Sequence, residues 1–524
     1  MAAKALHSTR MCGGLLHTRW LRPDRVVAAC LISGLAFLTV GWVFGNPPGA
    51  SPDEPAALVK ALATGHLELS GERYTAPLPP YTAPAWRAWT VASTRSYSLP
   101  VRQVPASLSV CMAFFPDKTA ACLQDAPALT GTQDVQAPTI EGIYPPFLFL
   151  PLGLAARLVT SPNGEFYAAR LASAAISILL LGAASWCATI RRHTLWPACG
   201  LALVATPMVL FLAASVTTNG VEIAAAICFW AGLLRIRQDD SPNLAWLAMG
   251  VGGGIMALSR QIDDLWLITG AALFICLLGP TSALRRFRAA GRYSIVGIGI
   301  AGIGGLVGLA WDVFATPPFP VSLSVAIDNR PTVTDAESLA HQAVGVFGWL
   351  DTPIPNGIEH AWLIAIGGLV IIALAVGTRR QRFVLVGTAV AIAAMTAAVQ
   401  MFLIAQTGFS MQTRYVLGVA VALPLLSAEV IAERHESRRL VRMSPALLLS
   451  VMVVVSAGQW IGYYTNARRY GIGLDTPGSL LSQAAWQPPG GTFVWLLVVA
   501  IGVALLSGAG LVMAVASRER THPV

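Results

Sequence analysis

The sequence predicts an all-α polytopic membrane protein with about twelve transmembrane helices, and three observations predict it. Hydrophobic residues make up 55% of the 524 residues and charged ones only 12%, with a mean hydropathy of +0.63. Soluble domains carry roughly 25% charge, so this chain cannot cover a soluble surface of its size, and it is too apolar for disorder. Apolar runs of about 17–25 residues recur along it, each long enough to cross a bilayer. Basic residues concentrate in alternate connecting segments, the pattern that orients membrane proteins.

The elements follow in order. A basic segment, 1–25, precedes the first run, 26–45. That run lacks a small-x-small cleavage site and reads as a retained signal anchor. Further spans are expected near 166–189, 195–214, 220–236, 243–258, 264–279 and 293–314. The remainder fall near 359–377, 383–405, 415–432, 443–464 and 493–517. This assignment puts Arg191–Arg192, Arg235, Arg237, Arg285, Arg286, Arg288, Arg292, Arg379, Arg380, Arg382, Arg434 and the short tail 518–524 in the cytoplasm. The outer loops after the first then hold only Arg260, Arg330, Arg414, Arg468 and Arg469 as basic residues. The net charge of +9 is thus a topology signal and gives no reason to expect a nucleic-acid partner.

Residues 144–159 (YPPFLFLPLGLAARLV) are apolar but carry Pro145, Pro146 and Pro151. Prolines suit a bent interfacial helix, and a span here would turn the later basic clusters outward. The stretch is therefore a juxtamembrane helix inside a large extracytoplasmic first loop, 46–165. Spans occupy 166–314 and 359–517, separated by a second outer loop, 315–358. No cytoplasmic segment is long enough for a nucleotide-binding domain. Any chemistry is expected on the outer face.

Most cysteines, such as Cys12, Cys187 and Cys228, fall in or near spans or at the cytoplasmic end, where they read as small buried apolar residues. Cys111 and Cys122 lie together in the first loop. In an oxidising compartment they are expected to form a disulfide, with metal binding the weaker alternative.

Asp53 and Glu54 follow the first span between Pro52 and Pro55. Paired carboxylates at the membrane surface serve as a general base or as ligands for a divalent cation such as Mg2+ or Mn2+; the bland alternative is a solvated acidic turn. Tyr144 opens the juxtamembrane helix. Asn219 and Glu222 lie in the turn SVTTNGVE, where an acid also suits a helix start. Arg260 and Asp263 share the turn SRQIDD. Trp349 and Asp351 belong to GWLDTPIP, and Arg414 and Tyr415 to QTRY. Guanidinium groups at the interface suit a lipid phosphate, or merely contact headgroups. Trp86 and Trp89 suit sugar stacking or an interfacial belt.

Together, PDE after the first span, the loop ending in YPP, SVxxNGxE, SRxxD, GWLDTPIP and TRY resemble a large bacterial family of polytopic membrane proteins. That family is similar to the GT-C superfamily of glycosyltransferases. The resemblance covers roughly residues 26–517. It implies a polyprenyl-phosphate sugar as donor, an envelope glycan, lipid or protein as acceptor, and an acidic base or metal ligand in the first outer loop, which is Asp53 here with Glu54 beside it. Relatives often carry a His three residues after the Glu, where this chain has Ala57. Independently, the lack of a GxxxxGK[ST] phosphate loop and of cytoplasmic room also points to a lipid-linked donor. A transporter or flippase of envelope glycolipids and a non-catalytic assembly scaffold are the rival readings.

Overall fold

The structure, a computed structural model, describes residues 22–519 apart from 76–83, 104–110, 125–130, 132, 193, 239, 261, 316–326, 329–331 and 435–437. Cys12, Gln261, Arg330, the N-terminal basic residues before Arg22, the tail from 520 and the side chain of Trp86 lie outside the described residues.

Helix α1 (Pro23–Gly45) starts on a proline with Asp24 in its first turn and ends before Pro47. Proline is preorganised for a helix start, and an early acid meets the positive helix end. The first loop then holds α2 (Glu54–Gly65), α3 (Pro84–Ser93) and the short α4 (Phe149–Ala156). At eight residues α4 is too short to cross a bilayer. It packs directly on α2: a Cβ on Gly153 would lie 1.9 Å from the Ala61 carbonyl, so only glycine permits the contact.

The same loop contains strands that hydropathy does not reveal. β1 (Glu72–Arg73), β2 (Arg95–Pro100) and β3 (Asp134–Thr139) form an antiparallel sheet, with Tyr97 opposite Ala137.

The bundle continues with α5 (Pro162–Thr189), α6 (Trp196–Val204), α7 (Pro207–Ala213), α8 (Thr218–Ile236), α9 (Leu244–Ala257), α10 (Asp263–Leu278), α11 (Pro280–Ala290) and α12 (Arg292–Ala315). After the second outer segment, with α13 (Val333–Gly345), come α14 (Asn356–Val376), α15 (Arg379–Thr407), α16 (Leu417–Ala420), α17 (Ala422–Glu433), α18 (Arg438–Gly471), α19 (Leu480–Gln483) and α20 (Thr492–Glu519). Every residue of α8 is buried, so this helix is the axis around which the others pack. Large apolar side chains point outward from the periphery: Ile303 and Phe314 on α12, Phe383 on α15 and Phe493 on α20. Contiguous exposed apolar surface on this scale is a lipid-facing surface.

Among the described residues, eight helices are long and apolar enough to span a membrane, or ten if two bent pairs each count as one. Each of the twelve expected spans coincides with helix, but several are irregular. The run 195–214 bends by 64° between α6 and α7, where Pro207 cannot continue the first helix. The run 243–258 is α9, only 14 residues, about 21 Å at 1.5 Å per residue. The run 415–432 opens on a 3₁₀ turn at Thr413–Tyr415 and continues as α16 and α17. The chain turns by 104° at Gly279–Pro280, so α11 leaves the α10 direction.

Polar contacts gather by set. Arg192 pairs with Glu429 at 2.9 Å, Arg237 with Glu433, and the Arg191 amide donates to Asp24. All of these belong to segments assigned to one face. Asp53, Glu54, Asp351 and Arg469 find partners within or just below the other set.

Candidate active site

Residues 46–53 connect α1 to α2, and Asp53 ends the turn with φ 62°, a left-handed conformation. For a non-glycine residue this costs on the order of 1–2 kcal/mol, although Asp tolerates it better than most. The twist separates the two neighbouring carboxylates. Asp53, with its side chain 31% exposed, ion-pairs with buried Arg414; Glu54 turns into the interior.

Glu54 is fully engaged there. Arg170 Nε donates to its Oε1 at 2.8 Å and Nη2 to its Oε2 at 2.7 Å, and the Val216 amide donates to Oε1 at 2.9 Å. The remaining Arg170 donors reach the carbonyls of Val43, Asn46 and Pro47 at 2.8–2.9 Å. All five guanidinium N–H groups are satisfied. The expected reactive pair is therefore one site carboxylate and one buried strut.

Arg414 comes from the 3₁₀ turn at the start of the expected span. Its Nη1 donates to the Pro52 carbonyl at 3.3 Å, and Nη2 lies 3.4 Å from the Tyr415 hydroxyl. Arg260 approaches from the α9–α10 turn. Its guanidinium lies 4.6 Å from the Tyr415 ring centre and 5.6 Å from that of Tyr144, and its Nε is 3.4 Å from Glu222 Oε2. Asp263 and Asn219 are buried on the same walls. The fold thus assembles Asp53, Tyr144, Glu222, Arg260, Asp263, Arg414 and Tyr415 from five separate segments.

Glu141, in the 3₁₀ turn Ile140–Ile143, joins them and is absent from the sequence expectation. Burial pushes its carboxyl up to about 8, the Asp53 charge adds to that, and Arg260, Arg414 and Lys60 act against it. At neutral pH it is a buried carboxylic acid able to donate a hydrogen bond. Lys60 places this turn: its Nζ donates to Tyr97 Oη at 2.6 Å, the Leu69 carbonyl at 2.8 Å and the Gly142 carbonyl at 3.0 Å. Burial pulls the ammonium down to about 7. The Trp311 indole anchors the same turn from α12 by donating to the Ile143 carbonyl at 2.9 Å.

Several polar atoms around this point are buried without a hydrogen-bond partner among the described residues: Glu141 Oε2, Arg414 Nε and Asn219 Oδ1. Native interiors leave few such atoms, since each costs about 1–3 kcal/mol. A concentration of them marks a place that receives a polar ligand or water.

Residues 35–423 match the model of the family described as "Predicted membrane protein (DUF2142)". The chain belongs to this family. No curated protein is similar to it by sequence. Two solved structures are similar at low identity. The crystal structure of ArnT from Cupriavidus metallidurans in the apo state has 14% identity and a TM-score of 0.37, over 72% of this chain and 66% of that one. The same protein bound to undecaprenyl phosphate has 15% identity and a TM-score of 0.42, over 94% and 77%. The chain therefore spans just under two thirds of the first of these.

Other singled-out residues of this DUF2142 chain serve the scaffold around the site. The Trp349 indole donates to the Gly49 carbonyl at 3.0 Å, holding the turn that leads to Asp53. Asp351 Oδ2 accepts from the Phe114 amide at 3.1 Å and from Arg469 at 3.0 Å. Arg469 in turn donates to the carbonyls of Met112, Phe115 and Lys118. GWLDTPIP thus clamps the loop closed by the Cys111–Cys122 disulfide, which is present as expected. Gly348 has φ +63°, and a Cβ there would come 2.2 Å from Asp351 Oδ1. Ala57 is buried among Leu58, Leu62 and Phe149.

The divalent cation expected at Asp53 and Glu54 does not fit this pair. Glu54 already accepts from Arg170 and Val216, and Asp53 Oδ2 already pairs with the Arg414 guanidinium.

Proposed function

We propose that this DUF2142 protein is an integral-membrane glycosyltransferase that moves a sugar from a polyprenyl-phosphate donor to a cell-envelope glycan, lipid or protein acceptor, at the extracytoplasmic end of the bundle. The observation that carries this reading is that Arg414, paired with the partly exposed carboxylate of Asp53, and Arg260, paired with Glu222, both lie against the Tyr415 ring. Two guanidinium groups on one tyrosine, one of them held by a partly exposed carboxylate, suit a reaction that expels a lipid phosphate while a proton is removed from a hydroxyl.

In this mechanism Asp53 accepts the proton from the acceptor hydroxyl as its oxygen bonds to the anomeric carbon. The bond from that carbon to the phosphate oxygen breaks, and the negative charge arriving on the phosphate meets Arg260 and Arg414. Glu141, held neutral, donates a hydrogen bond to the departing phosphate or to the sugar. Glu222 fixes Arg260, and Tyr144 and Tyr415 provide the faces on which that guanidinium rests.

The test is transfer from a radiolabelled polyprenyl-phosphate sugar in membranes carrying the protein, with lipid-linked intermediates compared between a deletion strain and its parent. Transfer by the wild type and accumulation of an unused lipid-linked sugar in the deletion strain support the reading. No transfer from any donor, with unchanged intermediates, removes it in favour of an assembly scaffold.

A further inference from the structure

We propose that His341, Glu359 and His360 bind a single divalent transition-metal ion of the zinc type, which clamps α13 to α14 behind the Arg414 segment. His341 lies on the last turns of α13, and Glu359 and His360 on the first turn of α14. One ligand atom from each of the three lies within 4.8 Å of the others. His341 Nε2 and Glu359 Oε1 are 3.2 Å apart. In a tetrahedral zinc site with bonds of about 2.0–2.2 Å, ligand atoms stand about 3.3–3.6 Å from one another. The pair is already close to that spacing, and the exposed His360 ring has the freedom to close the rest.

A second observation points to a ligand. Glu359 is 2% exposed, yet its Oε1 has no hydrogen-bond partner among the described residues. Its 3.2 Å approach to His341 is not made as a hydrogen bond. The rings of His341 and His360 meet edge to face at 6.3 Å. Glu337, 3.9 Å from His341 and exposed, stands within reach of a fourth position, which water would otherwise fill. Two imidazoles and a carboxylate favour zinc-like ions over Mg2+ or Ca2+, which take oxygen ligands.

The position gives the clamp a consequence. On α13, beside His341, Gln342 Oε1 accepts from the Thr413 amide at 3.0 Å, and the Leu339 carbonyl accepts from the Thr413 hydroxyl. Thr413 immediately precedes Arg414. The metal would thus hold the helix that holds the arginine, without touching reacting atoms. The proposal stands whether or not the protein transfers sugar.

The experiment uses the full-length protein in detergent, stripped with chelator and titrated with Zn2+ by calorimetry and equilibrium dialysis. One ion per chain is expected, displaced by Co2+ with the visible absorption of a four-coordinate site and not by equimolar Mg2+. Even residues that only support metal ligands contribute roughly 10–100-fold to affinity, so Glu359→Gln should cost at least that much and the His341→Ala/His360→Ala pair more. His66→Ala, outside the cluster, should leave binding unchanged. If the double variant fails to fold, the isosteric Glu359→Gln and the Co2+ spectrum still decide. Absence of binding by the wild type, or affinity unchanged in Glu359→Gln and the double variant, overturns the proposal.

Discussion

Glu54 and Arg170, 116 residues apart, meet in the protein interior with both carboxylate oxygens on one guanidinium and neither side chain exposed. The pair joins the end of α1, the start of α2, α5 and the Val216 turn. It is what allows Asp53, one residue earlier, to face the site. Removing one member of a buried ion pair leaves the other uncompensated.

Glu54→Gln should therefore destabilise the protein by about 3–5 kcal/mol. Thermal unfolding in detergent measures it. Asp53→Asn, at a partly exposed position, should shift unfolding far less. Equal effects would contradict the division of roles.

Activity should show the opposite order. Asp53→Asn should reduce turnover by roughly 10²–10⁴-fold, the usual weight of a general base, with expression intact. Arg260→Ala and Arg414→Ala should weaken donor binding, and lysine should rescue only partly because it lacks the planar fork. Transfer assays at varied donor concentration separate the two effects.

Glu141 gives a pH signature. Its carboxyl is raised to about 8 from an ordinary 4.5, so between those values the folded state holds more protons than the unfolded. Its contribution to stability is complete below about 4.5 and declines as pH rises through about 8. Glu141→Gln, permanently neutral, should flatten that decline and also any loss of transfer near pH 8. Lys60, lowered to about 7 from 10.5, has the opposite sign, with stability rising from about 7 upward. Unfolding followed across pH 5–10 in the wild type and Glu141→Gln checks both; an unchanged profile in the variant would remove Glu141 from the account.

The disulfide loop should depend on GWLDTPIP. Closing a loop of this size contributes about 3 kcal/mol, and Cys111 and Cys122 should resist thiol tagging until reduced. Asp351→Ala frees both the Phe114 amide and Arg469. Limited proteolysis should then cut between the two cysteines faster than in the wild type.

Sidedness is open to direct measurement. A reporter active only outside the cytoplasm should work when fused within 320–345 or 470–485 and fail after residue 290, 380 or 436. Activity after 290 would reverse the assignment of the 144–159 segment and separate the site from the outer face.

The sequence by itself determined the membrane class, the location of the long apolar helices and the disulfide. Those follow from local properties: the length of an apolar run, the proline at the start of α1 or α5, two cysteines in one loop. Tyr144, Arg260, Arg414 and Tyr415 were also legible as candidates, because polar residues at the ends of apolar runs stand out. Tertiary structure alone decided what each one does. Nothing local distinguishes Asp53 from Glu54; a carboxylate's role depends on which cation the fold brings to it, Arg414 for one and Arg170 for the other. Glu141 lay unnoticed three residues before Tyr144, since its burial exists only once Lys60 and the sheet fix its turn. The 3₁₀ turn Thr413–Tyr415 at the start of 415–432 escaped hydropathy for the same reason. An apolar run predicts a buried helix, while the turn that presents Arg414 at its start is set by contacts with α13 and Asp53 that are distant in the chain.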